Sequence, residues 1–241
     1  MNIRHKRLRH GGAHDGRGGH PPHAHSLHAP LSRRQLLGAA GMAAGGLVAA
    51  GMASPVLAAV PLPTPLPQAA AAQVGPRLLG RAMRALDVHA RRFAARNVFG
   101  VVDFTAGSST PRFHLVDLAG GAVTTVLVAH GRGSDPDHSG WVERFSNQPG
   151  SLASSAGAYV TGDIYDGKHG RSRRLIGLDP GNNNAEARAL VIHAAWYVGP
   201  DMVREHGKLG RSEGCFAVAE TDLDRVLARL PAGTMLYADK V

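Results

Sequence analysis

The hydrophobic period of this chain changes near residue 98, and that change narrows the possible folds more than any other feature. Upstream, residues 76–97 repeat Leu78, Leu79, Met83, Leu86, Ala90 and Phe93 at three- and four-residue steps. Arg77, Arg81, Arg84, Arg91 and Arg92 fall mostly elsewhere on the wheel. That is an amphipathic helix, with Pro76 suited to its first turn. Downstream the period drops to two. Residues 98–104 are β-rich, and 112–118 and 122–129 flank the turn Ala119-Gly120-Gly121 as a hairpin. Residues 158–165, 173–178, 189–194 and 234–238 read as further short strands. A second helix begins at Thr221, with Asp224 three positions on. Leu223, Val226, Leu227 and Leu230 form its apolar face, and Pro231-Ala232-Gly233 stops it. About seven short strands with two main helices predict a mostly β, α+β domain rather than a βαβ repeat.

Residues 1–58 read as a leader. Positions 1–31 are rich in Gly, His, Arg and Pro and hold seven of the fourteen histidines. Such a tract has no apolar area to bury and is expected to be disordered, and nothing organises its histidines as metal ligands. Ser32-Arg33-Arg34-Gln35-Leu36-Leu37 then precedes an uncharged Ala/Gly/Leu/Met run and the small-residue segment Ser54-Pro55-Val56-Leu57-Ala58-Ala59. A basic region, an apolar core and a small-residue cleavage site make a secretory signal, and the paired arginines are of the twin-arginine type. The alternative is a retained membrane anchor, for which Gly and Ala make a weak span. Cleavage after Ala58 or Ala59 leaves no stable membrane span. The mature protein is then periplasmic or cell-wall associated. Residues 59–75 read as a Pro/Ala linker, semi-rigid and exposed, and 76–241 as one globular domain.

The formal net charge of +9 is unevenly placed. The leader holds seven basic residues against one acid, which leaves 20 basic against 17 acidic residues in the remainder. A body near +3 gives no electrostatic case for nucleic acid. The glycines of His130-Gly131-Arg132-Gly133 do not open a helix at dinucleotide-binding spacing. The cluster Asp179-Pro180-Gly181-Asn182-Asn183-Asn184 is a turn, not a calcium loop.

The chemistry gathers at 191–218. This stretch holds the only cysteine, Cys215, in the run Gly210-Arg211-Ser212-Glu213-Gly214-Cys215-Phe216. In an oxidising compartment a lone cysteine makes no internal disulfide, so it is either buried and inert or retained because it reacts. A thiolate nucleophile needs a neighbour that takes its proton. His193 ends an apolar strand 22 residues upstream, with Gly199-Pro200 and Gly207 between to turn the chain back. His206 is the rival base. Gly214 clears space beside the thiol and lets the N–H groups of Gly214, Cys215 and Phe216 turn toward one point as an oxyanion hole. Lys208 and Arg211 place positive charge near the thiol in sequence, suited to favouring thiolate or binding a substrate carboxylate.

Several further pieces accompany these residues in order: Phe145-Ser146-Asn147, Gly150-Ser151, Ser154-Ser155-Ala156-Gly157-Ala158-Tyr159-Val160-Thr161, Tyr165-Asp166-Gly167, Gly177-Leu178-Asp179 and Val191-Ile192-His193-Ala194-Ala195. With Gly210 to Val218 they resemble the L,D-transpeptidase catalytic-domain family of YkuD-like fold, and more narrowly its murein branch. The resemblance implies a β-sandwich catalytic domain over 76–241 that uses no metal or organic cofactor. It implies Cys215 as nucleophile, His193 as base and the Ala194 carbonyl as the third member. It places Arg211, Ser212, Tyr159 and Ser155 toward the substrate. The implied substrate is a peptidoglycan stem peptide, cut after its third-position diamino acid with loss of D-Ala. An amine of a second stem, or water, then resolves the acyl-enzyme. The commoner family pattern has Ser-His-Gly-Cys with an Arg shortly after, whereas this chain has Glu213 and Ala217 at those places. Stem-peptide hydrolysis by an L,D-carboxypeptidase fits the same parts, and a non-catalytic wall-binding module with a structural Cys215 is the reading from a different class.

Overall fold

The computed structural model describes residues 68–241, and the segments read as leader, cleavage site and first part of a linker lie outside them. The described chain is a mixed α+β fold in which nine strands flanked by short helices join one sheet. The strands are β1 (Val98–Asp103), β2 (Phe113–Asp117), β3 (Val123–Val126), β4 (Val128–Ala129), β5 (Gly157–Gly167), β6 (Gly170–Gly177), β7 (Val191–Ala194), β8 (Phe216–Val218) and β9 (Met235–Asp239), in the spatial order β3-β2-β1-β9-β5-β6-β7-β8-β4. Only β1–β9 and β7–β8 pair in parallel.

Alternation along the strands sorts side chains onto two faces. Val102, Phe113, Leu115, Tyr159, Leu236 and Ala238 go to one core. Their neighbours Val101, Val116, Ala158, Val160, Met235 and Tyr237 go to another. Helix α4 (Glu220–Arg229) covers the first core with Leu223, Val226 and Leu227. Helices α1 (Gln68–Val74) and α2 (Pro76–Val88) cover the second. Pro76 opens α2 with its φ already helical, and Leu78, Leu79, Ala82 and Leu86 form the buried stripe.

The sheet curls on itself. Its two edge strands, β3 and β4, are separated in sequence by Leu127 alone. Phe104, just past β1, stacks on Phe216 of β8 with ring centroids 6.1 Å apart, although β1 and β8 stand five places apart in the sheet. At about 4.8 Å per strand a flat sheet would hold them some 24 Å apart. The bend at Leu127 makes the corner at which one strand leaves one edge and joins the other.

Three helical features differ from the sequence reading. The stretch read as an exposed linker contains α1, whose Ala70 and Val74 are buried. The first main helix stops at Val88, and a 3-10 turn at Ala90–Arg92 follows. The return from β7 to β8 carries a helix, α3 (Pro200–His206), that weak apolar periodicity concealed. No helix among the described residues is long and apolar enough to cross a membrane.

Candidate active site

The β7–β8 pair sets the site. Ile192 pairs with Phe216 and His193 with Ala217 in parallel register. Continuing that register by one residue puts Cys215 level with Val191, and the two-residue alternation puts His193 and Cys215 on the same face. Both line one cleft of about 460 Å³, together with Leu152, Tyr165, Lys168, His169, Arg188 and Tyr197. They form its floor, His193 being 2% and Cys215 6% exposed.

His193 has one defined hydrogen bond, from Nδ1 to the Ala194 carbonyl at 2.8 Å. A carbonyl only accepts, so the proton sits on Nδ1 and Nε2 keeps its lone pair. Burial lowers the proton affinity of His193. The Ala194 bond opposes this, while His169 and Lys168 add to the lowering. Cys215 Sγ lies 3.7 Å from the Ala189 carbonyl, to which the thiol donates. Burial raises the thiol pKa and Glu213 adds to the rise, against the Val191 backbone N–H, Lys168 and Arg188. The resting pair is therefore a neutral thiol and a neutral imidazole.

The loop carrying Cys215 is tied by its backbone. Ser212 donates its N–H to the His130 carbonyl at 2.9 Å and accepts from Arg132 N–H at 2.8 Å. The Ser212 hydroxyl donates to the Cys215 carbonyl at 2.7 Å and accepts the Gly214 N–H at 3.1 Å. That last bond engages the N–H expected at Gly214 as an oxyanion donor. Gly214 serves conformation instead. Its φ is +116°, and a Cβ there would lie 2.7 Å from the Ala153 carbonyl oxygen. Two of the three non-glycine residues with positive φ among the described residues, Leu152 and Ala189, also line this cleft, as strained backbone at functional sites commonly does.

The remaining expected residues fall in different places. Arg211 lines the cleft, with its guanidinium donating to the Asp135 and Pro136 carbonyls. Ser212 is there as well but is occupied within its own loop. Tyr159 and Ser155 are fully buried and offer a substrate no surface. Tyr159 donates its hydroxyl to the Ser155 carbonyl at 2.7 Å, and the Ser155 hydroxyl accepts from Arg188 at 2.6 Å. They brace Arg188 from below rather than line the cleft. His206 is an exposed residue of α3 paired with Glu205, and Lys208 is tied to the His138 carbonyl. The lysine at the cleft is Lys168.

Arg188 and His169 were not singled out from sequence. Arg188 follows the turn cluster and donates to the carbonyls of Ser146 and Ala153. No motif marks it, because its partners lie 35 and 42 positions away. His169 had a weak signal, the glycines Gly167 and Gly170 that close a two-residue hairpin turn. Among the described residues no group of His, Cys, Asp and Glu is arranged to hold a metal ion.

Residues 70–238 match the family model described as the L,D-transpeptidase catalytic domain. No curated protein matches the chain. Solved structures similar to it include an L,D-transpeptidase from Mycobacterium smegmatis, at 13% identity over 59% of this chain and 58% of that one, with a TM-score of 0.36. Another is an L,D-transpeptidase from Mycobacterium tuberculosis, at 16% identity over 59% and 57%, with a TM-score of 0.33. A third is a helical cell shape determining protein from Campylobacter jejuni, at 12% identity over 59% and 47%, with a TM-score of 0.38. The match thus spans less than two thirds of the length of each of these proteins. With more than half its length matched by the family model, the chain belongs to the L,D-transpeptidase catalytic-domain family.

Proposed function

We propose that the protein is an exported cysteine L,D-transpeptidase acting on peptidoglycan stem peptides. One observation carries this reading: the only thiol of the chain shares the floor of a cleft with an imidazole whose proton is held on Nδ1, leaving Nε2 free as a base. His193 Nε2 takes the thiol proton as Sγ attacks the carbonyl of the third stem residue, and the Ala194 carbonyl steadies the imidazolium that forms. The tetrahedral oxyanion is met by the Cys215 N–H, since the Gly214 N–H is engaged by Ser212. His193 returns the proton to the departing D-Ala amine, leaving a thioester. The amine of a second stem attacks the thioester, a new peptide bond forms and the thiol is regenerated. Arg211 and Arg188, both at the cleft, are the cations suited to the carboxylates of the stem. No metal or organic cofactor enters this scheme. The leader places the reaction outside the cytoplasm, in the periplasm or at the cell wall.

The test is a product assay on a purified tetrapeptide stem. Release of D-Ala with a cross-linked dimer is the expected result, and release with free tripeptide alone would assign hydrolysis instead. Cys215→Ser abolishes both products and the covalent adduct with a carbapenem. D-Ala release that survives in this variant refutes the nucleophile assignment.

A further inference from the structure

The cleft contains a second imidazole to which acyl transfer assigns no task. His169 lies in the turn of the β5–β6 hairpin, which the Gly167–Gly170 pair closes. Its ring stacks on that of His193, with centroids 4.3 Å apart and planes 22° from parallel. The same turn carries Lys168, whose Nζ lies 3.8 Å from Glu213 Oε2. The other Glu213 oxygen accepts from Arg132 at 2.9 Å. Glu213 therefore stands between cations from two separate loops, two residues before Cys215. All of these side chains are more than half exposed, so the pairs add little stability. Their effect is on where the hairpin turn rests.

We propose that His169 is a positioning residue for His193, and that Glu213 holds the turn that delivers it. The bond to Ala194 fixes one edge of the His193 ring but leaves it free to rock about that edge. A second ring lying flat on its face removes this freedom and keeps Nε2 aimed into the cleft. The stack also couples the two charges. A proton on His169 opposes a proton on His193, the form produced when His193 takes the proton of Cys215. Lys168 on the turn, Glu213 on the cysteine loop and Arg188 on the β6–β7 loop also face this group, as do the phenols of Tyr165 and Tyr197. Substitutions at position 169 leave all of them in place.

This inference rests on the Cys215–His193 reading, and its test needs no stem peptide. The rate of Cys215 alkylation by iodoacetamide is measured from pH 5 to 9 on the intact chain, with thermal melting as a check of folding. His169→Ala is expected to lower the alkaline plateau about tenfold, by letting the base drift from its aligned position. His169→Phe keeps a flat ring but no charge, and restores the plateau to within about twofold of the parent. With the charge gone, His193 holds its proton more tightly, so in the Phe variant the acid limb moves to higher pH by roughly half a unit. Glu213→Gln is expected to lower the plateau in the parent, although loss of this carboxylate by itself eases ionisation of the thiol, and to cause no further fall in His169→Ala. An Ala plateau within about twofold of the parent, a Phe plateau as low as that of Ala, or an unmoved acid limb in the Phe variant overturns the role of His169. A parent plateau that does not fall with Glu213→Gln, or a further drop in the double variant, overturns the role of Glu213. His193→Ala serves as control. If it alkylates at the parent rate, the base assignment fails rather than the contribution of His169.

Discussion

Gly214 has no space for a side chain, because its would-be Cβ meets a carbonyl oxygen that belongs to backbone and cannot swing away. Gly131 faces it from the other side, its own would-be Cβ only 2.7 Å from Gly214 Cα and N. Gly214→Ala should therefore cost about 1–3 kcal/mol of stability through its positive φ alone, and also shift the Cys215 loop. The expected outcome is a lower urea midpoint together with at least about a tenfold loss of iodoacetamide reactivity at pH 7. An alanine variant as reactive as the parent would mean that the loop tolerates displacement. The thiol itself yields a second prediction. Burial raises the Cys215 pKa above the ordinary thiol value, so with no base beside it this thiol is a poor nucleophile at neutral pH. In His193→Ala, alkylation should fall below that of free cysteine at pH 7 and recover only above the ordinary thiol range. That Cys215 and His193 would share one cleft was legible in the sequence, because a lone thiol and a histidine at a strand ending stand out by residue type and position. Arg188, Lys168 and His169 were not, since each reaches the cleft through a loop whose neighbours are set by tertiary packing. Tyr159 and Ser155 were misplaced for the converse reason: a polar atom in a motif does not reveal whether it faces water or the underside of a half-buried arginine.

Helix α1 shows how composition and packing can disagree within a few residues. A run of alanines after several prolines reads as a spacer, yet Ala is the best helix former, and Ala70 and Val74 sit one turn apart on one face. That face closes the second core beside Leu78 and Leu86. Val74→Asp should then bury a carboxylate without a partner and lower stability by about 2–4 kcal/mol, read as a shift of the urea midpoint at unchanged slope. A neutral substitution would return the segment to the role of linker. The longer strands were legible from the two-residue period, since each presents one face to each core. Strand β8 was not, because three residues in parallel pairing carry too little alternation to register. The joint between β3 and β4 was equally hidden: residues 122–129 alternate as one strand, and only the curled sheet reveals that Leu127 separates its two edges.

At the scale of the molecule, that curl leaves a buried polar cluster where the sheet meets itself. Arg112, His130 and Asp135 are fully buried. Arg112 donates to the carbonyls of Ala106 and Val128, and its NH2 group lies 2.7 Å from His130 Nδ1. A guanidinium only donates, so Nδ1 accepts, and the His130 proton is on Nε2, directed to Asp135 Oδ2 at 3.1 Å. Asp135 also accepts from the N–H groups of Ser139 and Gly140 and from the Ser139 hydroxyl. Its hydrogen bonds hold its pKa down although burial pushes it up. The His130 carbonyl in turn receives the Ser212 N–H, so the cluster fastens the cysteine loop to the sheet corner. Burial first, and then the charge of Arg112, depress His130 to about 4 from an ordinary 6.5, with Asp135 opposing. Between those values the unfolded chain binds the proton that the folded chain refuses, so stability rises with pH across this window. The contribution is complete above pH 6.5 and is lost as the pH falls toward 4, on the order of 3 kcal/mol in all. Urea midpoints measured from pH 4 to 7.5 should show this slope, and His130→Asn should reduce it to the part left by the other buried, depressed histidines, His114 and His193, while lowering stability at pH 7.5, where the shorter side chain fits the Arg112–Asp135 gap less well. The same acid range should release the cysteine loop before the sheet unfolds, since Ser212 hangs on the His130 carbonyl. Hydrogen exchange at Ser212 that accelerates in step with global unfolding, rather than ahead of it, would show that the corner and the loop do not respond separately to His130.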